Sequence, residues 1–123
     1  RQMCIRDSTL IEVASGIRKG TFSSEEVTRH CLTRINQAQP ILNCFISVDE
    51  ESAIKGAQRA DKEVAAGGKL GVLHGVPLAH KDMFYKKGVR STGGSKIQKD
   101  FIPSYTSTVI NRLEAAGAIS LGG

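Results

Sequence analysis

Between Gly75 and Asp82 the chain reads Gly-Val-Pro-Leu-Ala-His-Lys-Asp, an apolar segment that ends on a lysine and an aspartate. If residues 76–82 are extended, alternate side chains share a face. Ala79 and Lys81 then lie on one face, and Leu78, His80 and Asp82 on the other. A lysine whose chain neighbours are valine, proline, leucine and alanine is drawn toward partly buried surroundings. Desolvation disfavours the ammonium form and lowers the pKa. A lysine tuned in this way can take a proton from a hydroxyl nucleophile, directly or through a relay. Lys81 has the residue type and the sequence setting for this chemistry. Taken alone, the plainer account is a strand-end lysine with a packed stem and a hydrated head, or one ion-paired with Asp82 across a turn.

Other chemistries find less support. His74, His80 and Asp82 could suggest a metal site, but Lys81 lies between the last two and no further ligands cluster there. Gly67, Gly68, Gly71 and Gly75 match neither of the phosphate-loop spacings. No metal and no organic cofactor are expected. Cys4, Cys31 and Cys44 are odd in number and far apart, which argues against a disulfide framework or a zinc cluster. Lys81, Lys86, Lys87, Arg90, Lys96 and Lys99 face only Asp82 over the same stretch, within a net charge of +5. No stacking aromatics or recognition helix accompany that run, so it reads as solvated surface and direct nucleic-acid binding is not expected. No apolar run approaches the roughly 18–20 residues of a membrane span, and no signal-peptide core is visible. A cytoplasmic chain without a membrane segment is the expectation.

The elements that must position Lys81 are legible in part. Leu10, Val13, Ala14 and Ile17 follow helical spacing behind a Thr9–Glu12 capping box, which predicts a helix over 9–19 closed by Gly20. Ser23 and Glu26 form a second capping box. Val27, Cys31, Ile35 and Ala38 continue its helix, and Gln39-Pro40 is expected to end it. Residues 43–48 read as a strand. A third helix over 50–66 carries Ala53, Ala57, Ala60 and Val64 on one face, small residues that imply close approach to a neighbour. From Lys69 the composition turns glycine-punctuated and β-like, with short extended segments at 71–73, 76–81 and 89–91. A last helix from about 106 buries Val109, Ile110, Leu113 and Ala116, and Gly117 leads into a strand at 118–121. Strand, helix, strand is an α/β pattern. Hydrophobic residues are 40% of the 123, enough for a packed core.

The Gly-Val-Pro-Leu-Ala-His-Lys-Asp run resembles the amidase-signature family's segment around its catalytic lysine, Gly-x-Pro followed by an apolar stretch that ends in Lys-Asp. Further pieces follow in that family's order. Ser91-Thr92-Gly93-Gly94-Ser95 is similar to its turn after the lysine. Tyr-Thr-Ser-Thr-Val-Ile-Asn-Arg-Leu at 105–113 is similar to its next helix, and Glu-Ala-Ala-Gly-Ala-Ile-Ser-Leu-Gly at 114–122 to its next strand entry. Upstream, Ser23-Ser24-Glu25-Glu26-Val27 resembles its N-terminal helical region, so the likeness covers nearly all of 9–123.

The resemblance implies an α/β fold, with N-terminal helices leading into an incomplete α/β/α mixed-sheet core. It implies 9–68 as the helical region and 69–123 as the start of that core, cut at its C-terminal side. Residues 1–8 look like translated sequencing adapter, a non-native leader. It also implies amide hydrolysis by a Ser–cis-Ser–Lys mechanism, with Lys81 at the lysine position and a small-molecule amide as substrate. Both serines are expected beyond residue 123, so Ser91, Ser95, Ser104, Ser107 and Ser120 are not promoted to nucleophile, and the chain alone is expected to be inactive. Two rivals stand beside this. One is the A-type subunit of a tRNA-dependent amidotransferase, with partner subunits; the other is a non-catalytic basic binding module.

Overall fold

The computed structural model describes residues 8–43, 45, 48–79, 87–88, 97 and 101–122. Among them, four helices and two short strands follow one another as α1 (Leu10–Lys19), α2 (Ser24–Leu42), α3 (Glu50–Ala66), β1 (Pro77–Ala79), α4 (Thr108–Ala115) and β2 (Ile119–Gly122). This is the α/β class that the sequence predicts. The adapter-like leader, apart from Ser8, lies outside the described residues, as do Lys81, most of the basic run and the segment 89–91.

Both capping boxes form. Thr9 Oγ1 accepts from the Glu12 amide at 3.2 Å while the Glu12 carboxylate accepts from the Thr9 amide at 3.0 Å. Those bonds, the backbone one first, hold the Glu12 carboxyl below its ordinary value. Ser23 and Glu26 repeat the arrangement at 3.0 and 3.3 Å. Gly20 then ends α1 in the left-handed region, φ 77°, where a Cβ is strained. Between the two helices Phe22 folds back over Gly16, which has no room for a side chain beneath the ring.

Helix α2 departs from expectation at its end. It continues through Pro40 to Leu42 and stops at Asn43, φ 47°. Proline removes one amide, and here that loss falls in the final turn. The Gln39 side chain secures the exit instead, with Nε2 donating to the Phe45 carbonyl at 2.6 Å and Oε1 accepting from the Phe45 amide at 3.0 Å. The predicted strand at 43–48 is described only at residues 43, 45 and 48. Of these, Val48 makes an isolated antiparallel bridge to Gly122.

The alanine face of α3 behaves as its small side chains require. Ala53, Ala57 and Ala60 are buried, and a Cβ on Gly56 would lie 3.3 Å from Ile119 of β2. The approach to α2 is fixed by charge as well as packing. The Asp61 carboxylate accepts from the Ser24 amide at 2.6 Å and from the Glu25 amide at 3.0 Å, at the positive end of α2. Apolar contacts form one cluster around Val13, Ile17, Phe22, Val27 and Val76, and another around Leu32, Ala53 and Leu121. Cys31 packs against both. Burial pushes its thiol pKa up, so it stays protonated at neutral pH.

The two strands pair in parallel, Pro77 with Ile119 and Leu78 with Ser120, with an irregularity before Ala79 pairs with Gly122. Residues 72–75 form turns, not the extended segment expected at 71–73. Helix α4 begins at Thr108, capped by Ser107, whose hydroxyl accepts from the Ile110 amide. It buries Ile110 but leaves Val109 half exposed. Among the described residues, no helix is long and apolar enough to cross a membrane.

The Asp61 clamp is testable. Replacing Asp61 by Ala removes a charged acceptor from two amides at once and should lower unfolding stability by about 2 kcal/mol. The urea midpoint should fall with little change in slope; an unmoved midpoint would remove the clamp from the account of how α2 and α3 are held.

Candidate active site

The segment that leads into Lys81 is launched from a turn held on every side. Residues 72–75 sit between the helices and the pair β1–β2. Arg18, from the last turn of α1, donates to the Gly71 carbonyl at 3.2 Å. Ser24, the first residue of α2, donates its hydroxyl to the Gly75 carbonyl at 2.5 Å and is itself fully buried. His74 Nε2 lies 2.9 Å from the carbonyl oxygen of Ala60 in α3. From the other side, the Leu73 amide donates to Ala116 and the Gly75 amide to Gly117. The Ile119 amide then donates to the Val76 carbonyl at 2.8 Å, which opens the parallel ladder.

Three glycines make these approaches possible. Gly71 meets the Ala116 carbonyl so closely that a Cβ could not fit. Gly75, φ 74°, leaves only 2.9 Å between an ideal Cβ and the Ser24 side chain. Gly117, φ 98°, closes over His74, with its would-be Cβ 2.7 Å from the His74 Cα. Backbone packed this closely on both sides fixes where β1 begins and the direction in which it leaves.

The strand is extended at 77–79, and the rest of the 76–82 stretch used in the alternation argument for Lys81, residues 80–82, lies outside the described residues. Ala79 is exposed and is the last described residue of the strand. Lys81 itself, two residues further along the chain, lies outside the described residues, as do His80, Asp82, Ser91 and Ser95. In an open α/β sheet, ligands bind beyond the carboxyl ends of the strands.

The other candidates separate from it. A carbonyl oxygen only accepts, so His74 Nε2 carries the proton and donates it to the backbone of α3. Among the described residues, no group of histidine, cysteine or acidic side chains is arranged to hold a metal ion. A cavity of about 490 Å³ opens between α3 and the α4–β2 turn, lined by Arg59, Glu63, His74, Glu114 and Ser120 among others. A second, of about 340 Å³, lies along α1 and α2 beside Val76 and Pro77 and includes His30 and Cys31. Sequence reasoning missed the structural part played by His74, because its partner is a backbone oxygen on another helix and leaves no periodic signal.

The family model described as Amidase matches residues 26–123. Among curated relatives, the A-type subunit of the glutamyl-tRNA(Gln) amidotransferase of Hahella chejuensis is 47% identical over 114 residues, which is 93% of this chain and 23% of that protein. Its namesake from Pseudomonas syringae pv. tomato is 48% identical, with the same coverage of 93% and 23%. Among solved structures, fatty acid amide hydrolase superposes with a TM-score of 0.89 at 28% identity, over 95% of this chain and 21% of that one. The peptide amidase from Stenotrophomonas maltophilia gives 0.85 at 28% identity, over 94% of this chain and 24% of that one. The chain thus spans about a quarter of the length of the proteins it matches.

The closeness of the Gly117 contact can be measured against a second glycine. Gly117→Ala adds a steric clash to left-handed strain and should cost about 3 kcal/mol, whereas Gly20→Ala, with open space at the same sign of φ, should cost about 1 kcal/mol. Equal losses in chemical denaturation would mean that the α4–β2 turn yields and does not clamp His74.

Proposed function

Because the chain belongs to the amidase-signature family, we propose that it is the lysine-bearing segment of an enzyme that hydrolyses amides, with Lys81 as the base. The observation that carries this is the course of β1. An apolar strand, its entry turn bonded to three helices and its edge paired with β2, ends at Ala79, two residues before Lys81 in the sequence. The mechanism that the family resemblance implies asks little more of this segment. Neutral Lys81 takes a proton from a serine on a cis peptide, and that serine takes the proton of a second serine as it attacks the amide carbonyl. Backbone amides stabilise the oxyanion, ammonia or an amine leaves with a proton, and water releases the acid from the acyl-enzyme. In this reading both serines and the oxyanion loop belong to the part of the relatives that this chain does not span.

The identity of 47–48% to A-type amidotransferase subunits favours one amide over others. In this second reading the substrate is the side-chain amide of glutamine, the ammonia passes to a partner subunit, and the work is done in the cytoplasm on charged tRNA. Lys81 keeps the same part in both. The basic-module alternative gains no support from the described residues, because Lys87 is the single member of the basic run among them.

Ammonia release from glutamine and from simple primary amides tests the proposal. The protein encoded by the full reading frame should turn over, the 123-residue chain alone should not, and Lys81→Ala in the full protein should lower the rate by about a thousandfold or more. Turnover by the isolated chain that depends on Lys81 would overturn the division of labour. A full protein indifferent to Lys81→Ala would overturn the catalytic role.

A further inference from the structure

The cavity of about 490 Å³ is lined from α3 and from the entrance of β2, and by no residue of β1. His74 is set into its wall, with a side chain 8% exposed. Nε2 donates to the Ala60 carbonyl at 2.9 Å, so in the neutral ring Nδ1 can only accept. Nδ1 stands 3.8 Å from the Glu63 carboxylate, also an acceptor and outside hydrogen-bond range. Two acceptors thus converge on one gap, and no donor among the described residues bonds to either. The charges beside them are also left over. Glu25–Arg29 and Glu51–Lys55 place the acid one helical turn before the base and pair at 2.8 and 2.9 Å. Arg59 and Glu63 stand in the reverse order, the weaker orientation on a helix, and do not pair. Arg59 is exposed, lines the same cavity and bonds to no acid among the described residues. Lys69 and Glu114 add one charge of each sign to the lining, and Asp49 is about 20 Å from Glu63 along α3.

We propose that this cavity binds a small amino acid as its zwitterion: the ammonium donates to His74 Nδ1 and the Glu63 carboxylate, and the ligand carboxylate accepts from Arg59. An ammonium carries three N–H donors, so one group can serve both acceptors across the 3.8 Å gap. Arg59 and Glu63 are one turn apart, about 5–6 Å between Cβ atoms, a separation that the two ends of an amino acid can bridge. A metal ion needs further ligands, and no group of three suitable side chains stands among the described residues. An apolar ligand would strip water from these charges and give them no partner. Lys81 has no part in this site.

The test titrates glycine, ethylamine and acetate into the protein encoded by the full reading frame and follows heat and the His74 ring resonances. Glycine should bind saturably and about tenfold or more tightly than ethylamine or acetate, each of which keeps one of its two charges. Glu63→Gln and Arg59→Gln, both at exposed residues, should each weaken glycine by about tenfold or more. The His74 resonances should shift along the same binding curve. No saturable glycine binding overturns the inference, as does ethylamine binding equal to that of glycine. Binding indifferent to either substitution, or without effect on His74, overturns it too. Lys81→Ala should leave glycine binding unchanged, so a failure of amide turnover is read separately from a failure of this site.

Discussion

The buried hydrogen bond from the Ser24 hydroxyl to the Gly75 carbonyl joins the helical layer to the sheet, and most of the structure can be traced from it. Ser24 has no solvent exposure, so a broken bond would leave an orphaned polar group costing roughly 1–3 kcal/mol. The same residue gives its amide to Asp61, so one serine ties the start of α2 to α3 and to the entrance of β1. Its position is dictated by a capping box one residue earlier, and Gly75 can meet it only because no Cβ stands between them. Local helix chemistry and long-range placement of the strand thus meet at a single side chain.

Packing extends this node into two apolar clusters that share Cys31. One lies under α1 and Val76, where Ile17 and Val27 are almost fully buried, each contributing roughly 2 kcal/mol. The other lies where α3 and Leu121 of β2 approach α2. The alanines of α3 allow that approach, with Gly56 bringing Ile119 against the helix backbone. The first cluster is built from valines with Ile17 and Phe22, and the second sets Leu32 and Leu121 against the alanine face of α3.

How much of this the sequence carries depends on the range of each interaction. The capping boxes at Thr9 and Ser23 are legible because donor and acceptor stand three residues apart. The bounds of α3 are legible because its alanines keep one face and Gly67 stops it. Pro40 misleads because the rule concerns helix interiors, while Gln39 and Asn43 supply the real stop at the helix end. Val72 and Leu73 look like strand by composition, but the Leu73 amide is taken by Ala116, more than forty residues away, and the backbone turns. Val109 satisfies helical periodicity and is nonetheless half exposed, since periodicity names a face and not what covers it. For Lys81, the alternation argument spans 76–82, of which residues 80–82 lie outside the described ones. The chemistry of the lysine comes from the ordered resemblance and not from its own surroundings.

The parallel pairing of β1 with β2 also bears on how the chain reaches its fold. Parallel neighbours cannot be joined by a tight turn, so everything from residue 80 to residue 118 must be drawn into a closed loop before Pro77 meets Ile119. The entropy of closing a loop grows with its length, while α1, α2 and α3 gain their caps and first contacts among near neighbours. This favours an order in which the helices assemble early and the strand pair zips late. The Lys81 segment, inside that loop, would then be drawn into place by the last step of folding.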